Sequence, residues 1–151
     1  MKKIAIVSVL ILVLLITGCE GKIKTLTCTK ESVEDNLKTS EEMLVSYKNN
    51  KVFKITQTTI EEMDPDLIDT TISFGENFAS TLNQVDGFEV NYSKESNNSV
   101  KYQITMDYSK MDMNKLKELF GDDWNEEDYI KAKDQDIEEF KKERLEGYSC
   151  K

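Results

Sequence analysis

Three cysteines are the residues with the clearest chemical potential in this 151-residue chain: Cys19, Cys28 and Cys150. The chain contains no histidine, the commonest general base and the usual zinc ligand. A thiol at any of these cysteines would therefore have no imidazole to activate it, and no two of them form a Cys-x-x-Cys pair. The sequence thus predicts structural roles or modification of the cysteines rather than catalysis.

Cys19 follows an apolar N-terminal segment that ends in two small residues. Two lysines precede an apolar run over residues 4–16, the layout of a secretory signal. The run is shorter than the ~20 residues of a membrane-spanning helix. Ile16, Thr17, Gly18 and Cys19 resemble the lipobox of bacterial lipoprotein precursors. The resemblance implies that the Cys19 thiol is diacylated and that cleavage makes Cys19 the first residue of the mature protein.

This motif divides the chain into three parts. Residues 1–18 are a predicted lipoprotein signal peptide, residues 19–23 a lipidated N-terminus with a short tether, and residues 24–151 an extracytoplasmic domain. The tether spans at most ~3.5 Å per residue. We therefore expect the domain to lie beside the cell membrane on its extracytoplasmic side.

Cys28 and Cys150 form an even pair once Cys19 is assigned to lipid. Outside the cytoplasm such a pair is more often oxidised than free. A bridge that closes so long a loop could stabilise the fold by ~4–5 kcal/mol in the chain-entropy model. We expect a structural disulfide, with two free thiols or a redox couple as the alternatives.

The net charge argues against two kinds of partner. Without Lys2 and Lys3, residues 19–151 carry 18 basic and 29 acidic side chains, a net charge of −11. A net negative charge argues against binding to nucleic acid and against adhesion to an anionic lipid surface by charge. The simplest interpretation of this net charge is that it keeps the domain soluble.

Hydrophobic spacing predicts an α+β fold in one domain, with an antiparallel sheet of about five strands packed by helices in the order β-ββ-α-ββ-α-α. Alternating apolar residues indicate strands over residues 23–30, 43–47, 52–60, 88–93 and 100–108, with a polar loop over residues 32–40. Asn49-Asn50 and Asn97-Asn98 mark two hairpin turns.

Helical spacing indicates three helices. The first begins at Asp64-Pro65 and ends at Gly87, with Leu67 and Phe78 on its buried stripe and Phe74 off it. A short second helix runs from Asp112 to Gly121, and a charged last helix covers residues 126–146. These helices are expected to cover one face of the sheet and leave the other in water.

Several side-chain groups could bind a ligand but have simpler interpretations. Acidic clusters at residues 64–66, 122–128 and 134–136 could supply oxygen to calcium, but none has the EF-hand spacing, and acids at helix starts favour the helix dipole. Met106, Met111 and Met113 could form a soft copper site but are better explained as core. The tyrosines at positions 92, 102 and 108 are also expected in the core. We predict no metal and no cofactor.

Three stretches resemble the YehR-type lipoproteins, small bacterial lipoproteins of unknown function. They are the hairpin over residues 46–54, the run Gly87-Phe88-Glu89-Val90, and residues 104–112 with Leu116. The likeness spans most of residues 19–151 and keeps the same element order. It implies an α+β fold on a lipid anchor and no catalytic residue.

These features predict a membrane-anchored lipoprotein that acts by binding a protein, a peptide or a small envelope ligand, without catalysis. One alternative is an envelope enzyme that uses carboxylates or calcium, which requires two or three acids in one concave site. Another is a regulatory partner of a membrane protein. Lipid on Cys19 would be the contact with the membrane.

Overall fold

The computed structural model describes residues 21–35, 37–121 and 133–151. These residues form one antiparallel sheet with helices packed on it, an α+β fold. The strands are β1 (Lys24–Glu34), β2 (Leu37–Lys48), β3 (Lys51–Glu62), β4 (Phe88–Ser96), β5 (Ser99–Asp107) and β6 (Ser149–Cys150). The helices are α1 (Ile68–Leu82), α2 (Met113–Phe120) and α3 (Ile137–Arg144), and a 3-10 turn (Pro65–Leu67) precedes α1.

The sheet order is β4-β5-β3-β2-β1-β6. The predicted α+β class and element order are confirmed, and the described sheet has six strands where about five were expected. The additional strand is β6, which pairs with β1 through Cys28 and Cys150. A two-residue strand shows no alternation, so only its tertiary pairing identifies it.

The predicted loop over residues 32–40 is wrong. β1 extends to Glu34 and β2 begins at Leu37, so the two strands form a long hairpin with Asp35 at φ 50° in its turn. The backbone pairing of Glu34 with Leu37 and of Ser32 with Thr39 maintains the strands here. Because most side chains at this end are polar, the sequence lacks the apolar alternation that identifies a strand.

The β2–β3 turn is confirmed at Asn49 and Asn50, which adopt φ values of 52° and 62°. Two successive residues with positive φ are typical of the tight hairpin turn that matches strand twist. Asparagine adopts this conformation at lower cost than most residues.

Helix α1 is shorter than predicted. Asp64 accepts a hydrogen bond from the Asp66 amide at the start of the 3-10 turn, and α1 ends at Leu82 rather than at Gly87. Gly87, at φ 88°, instead leads into β4, where a Cβ atom would lie 2.7 Å from the Asp107 carbonyl oxygen. Leu67 and Phe78 were predicted on the buried stripe but are 55% and 43% exposed.

The predicted helix over residues 126–146 is confirmed only in part, since among its described residues Ile137–Arg144 form α3 and residues 133–136 are not helical. Asp134 adopts φ 59° and Asp136 caps α3, which begins only at Ile137. Backbone hydrogen bonds join Gln135 to Val52 and Ile137 to Asn50, which ties this segment to the β2–β3 hairpin. That tertiary pairing competes with local helix formation. Residues 122–132 lie outside the described part of the chain.

The core lies on one face of the sheet. α3 packs against β1, β2 and β3 through a cluster that contains Cys28, Val45, Ile55, Ile137 and Phe140. α1 packs against β4 and β5 through Ala79, Leu82, Val90 and Ile104. Across residues 21–35, 37–121 and 133–151, no helix combines the length and apolar character needed to cross a bilayer.

Candidate functional site

The face of the sheet opposite the core is polar. Side chains alternate between faces along a strand, and the strand register aligns two rows of residues on this open face. One row contains Thr29, Glu42, Thr58 and Gln103, and the next contains Glu31, Ser40, Ile60 and Lys101. Each row crosses β1, β2, β3 and β5 in that order.

All of these residues except Gln103 line a trough of about 720 Å³ on the open face. Charged side chains lie on both sides of β3: Glu31 and Glu42 come from β1 and β2, and Lys101 comes from β5. The backbones of β2 and β5 are separated by two strand spacings, about 10 Å. Lys30 of β1 also lines the trough, so acidic groups predominate on the β1–β2 side and the Lys101 ammonium group lies on the β5 side.

Hydrogen bonds join side chains of β3 and β5 on the open face, in and beside the trough. The side-chain amide of Gln103 donates to Thr58 Oγ1 at 3.1 Å, and the hydroxyls of Thr56 and Thr105 lie 3.1 Å apart. Because Thr58 accepts from Gln103, its own hydroxyl hydrogen remains available for a ligand. Lys38 pairs with Glu31 at 3.0 Å on the rim. Thr58 therefore presents a hydroxyl group to the trough, which the apolar side chain of Ile60 also lines.

A half-buried tyrosine–carboxylate pair lies at the border of the trough, which its carboxylate residue Glu41 also lines. The Tyr148 hydroxyl donates a hydrogen bond to Glu41 Oε2. Burial and the Glu41 carboxylate raise the pKa of Tyr148 to about 12. The Lys30 ammonium lies 5.5 Å from the centre of the Tyr148 ring. These contacts attach the segment before β6 to β1 and β2.

The predicted lipobox residues, Ile16, Thr17, Gly18 and Cys19, lie outside the described residues. Cys28 and Cys150 are described, and their sulfur atoms lie 2.06 Å apart, the distance of a disulfide. Their Cα atoms are 4.0 Å apart across the β1–β6 pair.

The acidic clusters singled out in the sequence lie at helix starts where they are described. Asp64 caps the 3-10 turn, and Asp136 accepts a hydrogen bond from the Glu138 amide at the start of α3. Among the described residues, no three Cys, Asp or Glu side chains are grouped so as to hold a metal ion. The cluster over residues 122–128 lies outside the described part.

The candidate sulfur and aromatic ligands pack in the core. Met106, Met111 and Met113 contact the cluster beneath α3. Tyr92 and Tyr102 stack with ring centres 5.5 Å apart, and burial raises the pKa of Tyr102. Sequence reasoning predicted a wet sheet face but did not single out Thr58 or Lys101, because a concave arrangement depends on strands far apart in the chain.

Two solved structures share this fold. An NMR structure of a protein from Streptococcus pneumoniae TIGR4 superposes with a TM-score of 0.61 at 11% identity, over 89% of this chain and 88% of that one. The NMR structure of the E. coli YehR protein superposes with a TM-score of 0.58 at 16% identity, over 86% and 91% of the two chains.

Sequence comparison adds no relative. No protein-family profile matches the chain, and no curated protein matches it significantly. At these identities a structural likeness establishes the fold alone. The resemblance seen in the hairpin and strand motifs is thus confirmed at the level of architecture: the chain has a YehR-type fold.

Proposed function

We propose that this chain is a lipid-anchored protein on the extracytoplasmic side of a bacterial membrane, and that its open sheet face binds a small zwitterionic ligand such as a short peptide. The observation that carries the binding role is the trough, where Glu42 and Lys101 lie on opposite sides of β3. An ammonium group of the ligand would face Glu42, and a carboxylate would face Lys101.

The pairing of Cys28 with Cys150 across β1 and β6 supports the extracytoplasmic assignment, because structural disulfides persist in oxidising compartments. With those two sulfurs paired, Cys19 is the remaining cysteine in the sequence. Its position after Ile16-Thr17-Gly18 makes it the proposed site of lipid attachment.

Metabolic labelling with a fatty-acid analogue tests the anchor. We expect label on the wild-type protein and none on Cys19→Ala, which should remain at precursor size. Mature protein that carries no label would refute the anchor and leave the trough proposal to be judged by ligand binding.

An NMR titration tests the trough. Isotope-labelled protein is titrated with trialanine and, as the matched control, with trialanine that is acetylated and amidated at its ends. We expect amide shifts at Thr58 and Lys101 with the charged peptide and much weaker binding of the blocked one. Equal binding of both peptides, or shifts confined to other surfaces, would contradict the proposal.

Substitutions sharpen this test. Lys101→Gln and Glu42→Gln should each weaken trialanine binding about two- to fivefold, as loss of a solvent-accessible ion pair worth about 0.5–1 kcal/mol predicts. Lys94→Gln, which removes the same charge from β4 outside the trough, serves as the control. The Lys94→Gln variant should bind trialanine as tightly as the wild-type protein does.

A carboxylate-based enzyme is the second candidate, because Glu31 and Glu42 line the same concave site. The same samples decide between the two. Slow appearance of cleaved peptide that depends on Glu42 would favour the enzyme. Intact peptide after prolonged incubation would favour binding alone.

A further inference from the structure

We propose that the end of the domain at which the tether enters is a lysine rim that contacts anionic lipid headgroups. This inference rests on the lipid anchor proposed above and goes beyond it, because it assigns a membrane-facing surface. The lysine rim is formed by the start of β1, the end of β2 and the start of β3. Its members are Lys22, Lys24, Lys48, Lys51 and Lys54.

The strand register brings these lysines together. Lys24 pairs with Tyr47, the residue before Lys48, and Lys48 pairs with Lys51 across the hairpin turn. Lys22, Lys24 and Lys51 are exposed. Among the described residues, three acids lie against this end: Asp107, which pairs with Lys54 across β3 and β5, and Asp134 and Asp136, beside Val52 and Lys51. Lysine therefore predominates on this surface of an acidic chain.

The opposite end of the same strands is acidic. The β1–β2 turn and the end of β3 carry Glu34, Asp35, Glu61 and Glu62. The 12 residues of β3 separate the two ends by about 40 Å. This distance exceeds the Debye length of ~8–10 Å at physiological salt several times. The acidic end consequently does not cancel the field of the lysine rim.

The tether joins the domain at the lysine rim, and this position makes the membrane the surface that the rim contacts. Five residue steps separate Cys19 from Lys24, so a lipid on Cys19 holds the rim within about 18 Å of its attachment point. Ile23, between Lys22 and Lys24, is 65% exposed. An exposed apolar side chain flanked by lysines suits the boundary between headgroups and acyl chains. The positive charge of the lysine rim is complementary to the negative headgroup of an anionic phospholipid.

Lysine footprinting on vesicles tests the rim. The purified lipoprotein is reconstituted into phosphatidylcholine vesicles, or into vesicles that also contain phosphatidylglycerol, and labelled with an amine-reactive reagent. Mass spectrometry then compares rim lysines with Lys38 and Lys94. We expect labelling of Lys22, Lys24 and Lys51 to fall several-fold on the anionic vesicles relative to the neutral ones, and high salt to abolish the difference.

Two matched variants complete the test. K24Q/K51Q should lose the protection of the remaining rim lysines, whereas K38Q/K94Q, with the same charge change elsewhere, should keep it. The rim proposal would be overturned if the labelling of the rim lysines, relative to that of Lys38 and Lys94, were the same on neutral and on anionic vesicles. The intact mass reports acylation separately: an unacylated protein refutes the anchor and with it the rim, whereas an acylated protein without protection refutes the rim alone.

Discussion

The side chain of Asn83 makes both hydrogen bonds to the backbone of Val90 that a further strand would make. Its Nδ2 donates to the Val90 carbonyl at 2.9 Å, and its Oδ1 accepts from the Val90 amide at 2.6 Å. Val90 lies on β4, an edge strand of the sheet. Asn83, just after α1, thus occupies part of an edge that could pair with another chain.

Asn83→Ala should destabilise the domain by about 1–3 kcal/mol, since it leaves two backbone groups at a nearly buried position without partners. We also expect greater self-association through β4. Chemical denaturation and analytical ultracentrifugation measure the two effects. Asn91→Ala, an exposed change on the same strand, is the control and should stay within about 0.5 kcal/mol. Equal effects of Asn83→Ala and Asn91→Ala would contradict the proposal that Asn83 covers the edge of β4.

Gly75→Ala should destabilise the protein even though alanine favours helix. A Cβ atom at Gly75 would lie 2.3 Å from Cδ1 of Tyr92, so either the ring or α1 must move. Such overpacking costs about 1–3 kcal/mol, more than the ~1 kcal/mol that alanine gains over glycine in a helix. In a Tyr92→Ala background the same change should be neutral or stabilising. Thermal denaturation of the wild type, the two single variants and the double variant measures how strongly the two substitutions are coupled in their effect on stability.

Replacing Cys28 and Cys150 by serine should lower the free energy of unfolding by about 4–5 kcal/mol, because the bridge closes a loop over a separation of 122 residues. Cys19→Ser, which lies outside that loop, should leave the stability unchanged. Non-reducing mass spectrometry of wild-type protein should recover Cys28 and Cys150 in one linked peptide. Free thiols at both positions in secreted protein would refute the predicted disulfide.

The hydrogen bond between Tyr148 and Glu41 predicts alkaline destabilisation. The folded-state pKa of Tyr148, about 12, lies above the ordinary value of 10.0. The stability that this shift contributes is therefore fully present below pH 10 and is lost as the pH rises toward 12. Ultraviolet titration should show one tyrosine that ionises near pH 12. That step should disappear in Tyr148→Phe and move downward in Glu41→Gln.

An unchanged alkaline step in Tyr148→Phe would assign it to another tyrosine. Tyr102 is the alternative, since burial raises its pKa as well. Tyr102→Phe is therefore the matched control. It should retain the step near pH 12.

Local signals in the sequence predicted much of the fold. The alternation over residues 88–108 identified β4 and β5, and Asp112 does cap α2 by accepting hydrogen bonds from the Asn114 and Lys115 amides. Signals of this kind succeed because a strand face, a turn or a cap depends on residues that are close in the chain. They fail where tertiary pairing overrides the local pattern, as at the start of α3.

The trough was not predictable in the same way. Glu42, Thr58 and Lys101 come together because β5 lies beside β3 rather than at the edge. That arrangement depends on the packing of α1 and α3 against the core face, and no spacing in the chain encodes it. The lysine rim likewise depends on register, since the sequence shows its lysines only as separate charges.

The amino-acid sequence by itself determined the α+β class, the two asparagine-rich turn positions, the even cysteine pair and the expectation that Cys19 carries lipid. Each follows from short-range residue types and spacing. Only the tertiary structure decided the strand order, the β1–β6 pair, the trough on the open face and the separation of charge between the ends of the strands. Those features arise from contacts between segments distant in the chain, whose free energy depends on the whole packed core.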